Sequence, residues 1–121
     1  VFIPQDKVTM LKIANIYKLL GNNAKALSFY DKILTIDENS VDAYFNKGLV
    51  LASQKNYDES IKCFEKVIAL SPDYAYYSLG MAYEQKDDSQ KALEYYYLYA
   101  GIEKDEKMLN VVNQKIKQLE K

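Results

Sequence analysis

The sequence predicts an all-α fold: a solenoid of three helix-turn-helix repeats closed by a seventh, capping helix. Three observations carry that prediction. A self-similar stretch recurs about every 34 residues, both halves of each stretch carry apolar residues at helical spacing, and a short polar turn cluster separates the halves.

The stretches superimpose without gaps. They are MLKIANIYKLLGNNAKALSFYDKIL from Met10, YFNKGLVLASQKNYDESIKCFEKVI from Tyr44 and YYSLGMAYEQKDDSQKALEYYYLYA from Tyr76, at offsets of 34 and then 32 residues. The turns are GNN at 21–23, QKN at 54–56 and KDD at 86–88. Units of about 7–40, 41–72 and 73–104 follow, with a terminal helix over about 105–121, all in one domain of residues 1–121.

Helix starts are expected at Asp6, Ser40 and Asp73, with Ser89 opening the last second helix. Each of these side-chain oxygens can accept from an orphan backbone N–H of a first turn. Pro72 closes the helix before it, Gly101 lies near the end of the sixth helix, and Asp105 is placed to cap the seventh.

Alternating bulk explains how the helices pack. Ala14, Gly48 and Gly80 allow close approach from one side and Ala26, Ser60 and Ala92 from the other, while Tyr30, Phe64 and Tyr96 fill the space between layers. One unit cannot bury its own apolar face, so the units stack and a polar-backed helix must finish the stack. The tail EKMLNVVNQKIKQLEK fits that role, with Met108, Leu109, Val112, Ile116 and Leu119 on one stripe. In the run YYYLY at 95–99, Tyr96 and Tyr99 are expected in the core, and Tyr95 and Tyr97 on the back of the stack.

Across roughly residues 7–106 the chain resembles the tetratricopeptide repeat (TPR) family, whose pattern is an aromatic, Leu-Gly and Tyr on the first helix, then Ala, an aromatic and Pro. The third unit matches best, through Tyr76, Leu79-Gly80, Tyr83, Ala92 and Tyr96. The second keeps Tyr44, Gly48, Phe64 and Pro72 but has Lys47, Leu51 and Ser60 at patterned sites. The first keeps Tyr17, Ala26 and Tyr30 but has Met10, Ile13-Ala14 and Glu38. The resemblance implies a right-handed α-solenoid whose first helices line a concave groove that binds an extended or helical segment of another protein.

Helical projection assigns the lining. It comprises Val8, Leu11, Asn15, Lys18 and Leu19 from the first unit, and Asp42, Phe45, Asn46, Leu49 and Ser53 from the second. The third supplies Tyr74, Tyr77, Met81, Glu84 and Gln85. The expected partner-binding residues are Leu11, Asn15, Lys18, Phe45, Asn46, Leu49, Tyr74, Tyr77 and Met81, with Phe45 and Tyr77 as ring anchors and Met81 as an adaptable wall. One TPR subgroup grips the C-terminal carboxylate of heat-shock chaperones with Lys, Asn, Asn, Lys and Arg. Here Asn15 and Asn46 match, but Leu11, Tyr74 and Ser78 stand at the basic sites. Without charge-assisted bonds such a clamp is weak, so the two amides are expected to bond a ligand's backbone instead.

Composition closes other routes. A formal net charge of −1 gives no field for a nucleic acid backbone, and the apolar runs are too short for a membrane span. The chain has no His, and its 16 basic residues are all Lys. The usual general base and commonest metal ligand are therefore absent. No catalytic residue, metal site or cofactor is expected, and Cys63 reads as a structural thiol. Lys47, at an apolar core site, is expected to snorkel. The chain begins VFIP, without a methionine, which leaves room for an upstream signal or anchor and gives no compartment. The alternative to a groove-binding adaptor is a self-association module that uses the groove, VFIP or the terminal helix to form a homo-oligomer.

Overall fold

Asp6 accepts a hydrogen bond from the Thr9 backbone N–H at 2.8 Å and opens α1 (Lys7–Leu19). The computed structural model describes residues 5–121, so the VFIP segment lies outside the described residues. Six further helices follow: α2 (Asn23–Ile36), α3 (Val41–Ser53), α4 (Tyr57–Leu70), α5 (Tyr76–Gln85), α6 (Ser89–Ile102) and α7 (Glu106–Leu119). No strand occurs among the described residues.

Ser40 accepts from Ala43 N–H at 3.2 Å to start α3, and Asp105 accepts from Lys107 N–H at 2.9 Å to start α7, both as expected. Two expected caps move. Asp88 rather than Ser89 accepts from Lys91 N–H at 3.1 Å, and Ser89 is already helical. Asp73 does not cap α5. The chain turns there, with Tyr74 N–H donating to the Ser71 carbonyl at 3.2 Å, and this drops Ala75 into the core before α5 begins.

The three turns inside the units share a device that composition hides. Gly21, Lys55 and Asp87 occupy the same register and all have positive φ, at 77°, 63° and 61°. Glycine adopts this left-handed conformation without strain. Lys55 and Asp87 adopt it at a cost, because Cβ crowds the following carbonyl.

Each unit is a helix hairpin (α1 on α2, α3 on α4, α5 on α6), and α2 packs on α3, α4 on α5 and α6 on α7. Tyr30, Phe64 and Tyr96 are fully buried between layers, together with Ala14, Ala26, Ser60 and Ala92. Burying a large apolar side chain contributes about 1.5–3 kcal/mol, so these three rings are a main source of cohesion. α7 closes the last layer by placing Val112 and Ile116 on the Ala92–Tyr96 cluster, while Met108, Leu109 and Leu119 are half-buried.

On the other side, Tyr17 stacks on Phe29 (6.0 Å between centroids) and Tyr83 on Tyr95 (5.8 Å) in the first and third units. Lys25 and Lys91 lie over the Tyr17 and Tyr83 rings at 5.3 and 5.5 Å. The middle unit has Leu51 and Cys63 at the stacking positions, both buried. The departure from the family Tyr at Leu51 is thus matched by a small partner in place of a ring. Lys47 snorkels as expected, its Nζ on Asp31 at 2.7 Å. Burial works against its charge, but the Asp31 carboxylate prevails and holds its pKa above the ordinary value.

Within YYYLY, Tyr96 is buried and Tyr95 and Tyr99 are half-buried. Tyr99 is therefore less enclosed than expected: its hydroxyl reaches out to Glu103, where the last helical turn meets solvent. Tyr97 is exposed, its hydroxyl on Glu120 beyond α7.

Candidate functional site

The first helices α1, α3 and α5 bring the expected groove residues onto one face. Leu11, Asn15, Lys18, Phe45, Asn46, Leu49 and Tyr77 are half-buried, and Met81 is 39% exposed. Tyr74 is 51% exposed, but it sits in the turn ahead of α5 rather than on the helix. Phe45 and Tyr77 are neither free nor shut away. Phe45 meets Tyr74 edge-on at 4.9 Å and Phe64 at 5.8 Å. Tyr77 meets Tyr99 at 5.1 Å and Tyr96 at 5.9 Å. Each ring thus leans on core rings and keeps an open edge, which fixes its orientation before any ligand arrives.

Both groove amides hold hydrogen bonds within the chain. Asn15 Oδ1 accepts from the Tyr30 hydroxyl at 2.5 Å. Asn46 Oδ1 accepts from Lys18 Nζ at 2.6 Å, and its Nδ2 donates to the Asp42 carbonyl at 2.9 Å. Each amide oxygen thus already has one partner within the chain, and none of these bonds uses the Asn15 Nδ2 hydrogens. Burial lowers the Lys18 pKa, and raises that of Tyr30 to about 12.

The junctions between units differ in what fills the groove floor. At the first, Lys18 spans to Asn46, and the Tyr30 hydroxyl donates to Asn15. At the third, Glu84 accepts from the Tyr96 hydroxyl at 2.6 Å and pairs with Lys115 of α7 at 3.5 Å. At the second, the positions equivalent to Lys18 and Asn46 are Ala52 and Ser78, and the ring is Phe64, without a hydroxyl. A cavity of about 330 Å³ opens there, walled by Leu49, Ala52, Phe64, Ser78, Met81 and Ala82 among others. Leu49 and Met81 were expected at the site. Ala52 and Ala82 were not, because small residues carry no signal of their own; only the register Lys18–Ala52–Glu84 shows that something is missing. Leu11 faces a separate hollow of about 310 Å³ between the starts of α1 and α3, where Asp37, Asn39 and Asp42 make the walls polar.

Burial pushes the Cys63 thiol up, away from the reactive thiolate. Among the described residues no group of three or more metal-ligating side chains is placed to hold an ion. No helix there is long and apolar enough to cross a membrane.

The tetratricopeptide repeat pattern matches residues 41–74, and a second pattern of the same description matches 9–40 and 74–106. Anaphase-promoting complex subunit 3 of Schizosaccharomyces pombe is 29% identical over 119 residues, covering 97% of this chain and 18% of its own length. MamA superimposes with a TM-score of 0.85 at 26% identity, over 96% of this chain and 67% of MamA. YrrB, described as a TPR protein with an unusual peptide-binding site, superimposes with a TM-score of 0.74 at 26% identity, over 81% of this chain and 52% of its own. The chain therefore spans less than a fifth of that curated relative.

Proposed function

The chain belongs to the tetratricopeptide repeat family, and on that premise we propose that its first-helix face binds an apolar peptide or helical segment of a partner protein, as an adaptor or scaffold. The units at about 7–40, 41–72 and 73–104 and the terminal helix at about 105–121 act in this reading as one binding domain. The observation that carries it is the set Leu11, Phe45, Leu49, Tyr77 and Met81, each partly solvent-facing and drawn from the first helices of all three units. Apolar surface of this kind marks interaction sites. The peptide-binding site described for YrrB supports the same use of the fold. The role is non-catalytic, since the chain has no His and its one thiol is buried. Nucleic acid is not the partner, given a net charge of −1.

The test is binding by ring variants. Phe45→Ala and Tyr77→Ala are expected to weaken a groove-bound peptide by about 1–3 kcal/mol with helicity retained. Unchanged affinity in both moves the site elsewhere.

Self-association is the second reading, favoured by one observation. Ile16 and Leu19 of α1 and its C-cap Leu20 are 55%, 83% and 74% exposed, an apolar edge on the first unit. Ile16 holds the register of Val50 and Ala82, which are buried under the preceding unit. Sedimentation at tens of micromolar separates the readings: a concentration-dependent dimer supports self-association, and a monomer excludes it in that range.

A further inference from the structure

Resting on the groove reading above, the geometry points to a single side-chain pocket at the second junction, which takes one large aliphatic or aromatic residue of the partner beside a carboxylate that meets Lys18. The pocket follows from comparing equivalent positions. Lys18, Ala52 and Glu84 share one register, and so do Asn46 and Ser78. Where the lysine or the glutamate is present, a polar contact fills the floor: Lys18 to Asn46 at 2.6 Å, Glu84 to Lys115 at 3.5 Å. Where both positions are small, the floor is missing and about 330 Å³ stands open above Phe64.

That volume is at the low end of the ~300–1,000 Å³ typical of ligand sites, which suits one side chain rather than a whole small molecule. Leu49, Phe64 and Met81 give it hydrocarbon walls, and the Met81 thioether adapts to different shapes. Ser53, Ser78 and Gln85 stand among the lining, but the hydrocarbon side of the pocket offers a charged or amide side chain no partner for the water it would lose.

The acidic neighbour follows from charge. Lys18 is held by an amide, which does not neutralise it, and among the described residues no carboxylate lies within ion-pair distance of it. Glu84, by contrast, already has Lys115. The groove floor therefore offers the Lys18 ammonium on the α1 side of the pocket and a balanced pair on the α7 side. Packed helices lie about 8–10 Å apart, a span that an extended ligand covers in about three residues. The partner segment thus carries Asp or Glu within a few positions of its apolar anchor, on the side facing α1.

The probe is a phage-displayed random-peptide library selected on the whole domain. Selected peptides are expected to pair a Leu-, Met- or Phe-like anchor with a nearby carboxylate. Ala52→Lys with Ser78→Asn transplants the first junction's plug into the second and is expected to weaken them at least about tenfold. Ser78→Leu, which fills the same space with hydrocarbon, should do likewise and guards against a plugged variant that fails to fold. Lys18→Met should keep the anchor preference and lose the acidic one. Full affinity for folded plugged and filled variants, alongside loss on Tyr77→Ala, overturns the pocket and leaves the groove. Full affinity for every groove variant, or no selected peptide at all, overturns both.

Discussion

A methyl group on Gly80 would lie 2.5 Å from Cδ1 of Tyr96, and one on Gly48 would lie 2.6 Å from Cε1 of Phe64. The obstacle in each case is a fully buried ring. Helix propensity favours alanine over glycine by up to about 1 kcal/mol, but forcing a methyl into a packed core costs about 1–3 kcal/mol. Gly80→Ala and Gly48→Ala are therefore expected to destabilise the domain by about 1–2 kcal/mol in denaturant unfolding. Equal or greater stability would show that the layers separate more easily than their packing implies.

The left-handed turn residues give a prediction of opposite sign. Lys55 has a φ of 63° and Asp87 one of 61°, whereas Gly21 fills the same register in the first unit. A residue with a Cβ held in this region costs roughly 1–2 kcal/mol, partly offset by glycine's greater freedom when unfolded. Lys55→Gly should raise stability by about 0.5–1 kcal/mol, read as a higher denaturation midpoint at unchanged slope. A lower midpoint would mean that the Lys55 side chain contributes more than its backbone strain removes.

Burial raises the Tyr30 phenol from its ordinary 10.0 to about 12. The folded state then keeps a proton that the unfolded state releases. Between these values the native form binds more protons, so stability falls as pH rises. The contribution is complete below pH 10 and is lost towards pH 12. Unfolding free energy measured across that range should decline, and Tyr30→Phe should flatten the decline. An identical slope in the variant would place the titration elsewhere.

Much of this fold was legible because its signals are repeated. Three copies of one spacing located every hairpin, and the bulk alternation of Gly48 with Phe64 and Gly80 with Tyr96 named the core contacts before any coordinate. The proposed groove lining rests on the same regularity, since helical period alone assigns Leu11, Leu49 and Met81 to one side of the first helices. What escaped depends on long-range geometry. Nothing local reveals that Tyr30 reaches Asn15 or that Lys18 reaches Asn46. Asp73 looked like a cap because its residue type is right, although burial of Ala75 decides where α5 begins. The cavity at the second junction is written in small residues, which only a register comparison makes visible.

The central claim is that ligands enter the face shared by α1, α3 and α5. The most direct measurement is a titration of the isotope-labelled domain with a library-selected peptide, followed through backbone amide chemical shifts. The account predicts the largest changes around Asn46, Leu49, Ser78 and Met81, with the α2 and α4 outer surfaces quiet. Changes confined to the back of the stack, around Tyr17, Tyr83 and Tyr95, would contradict it.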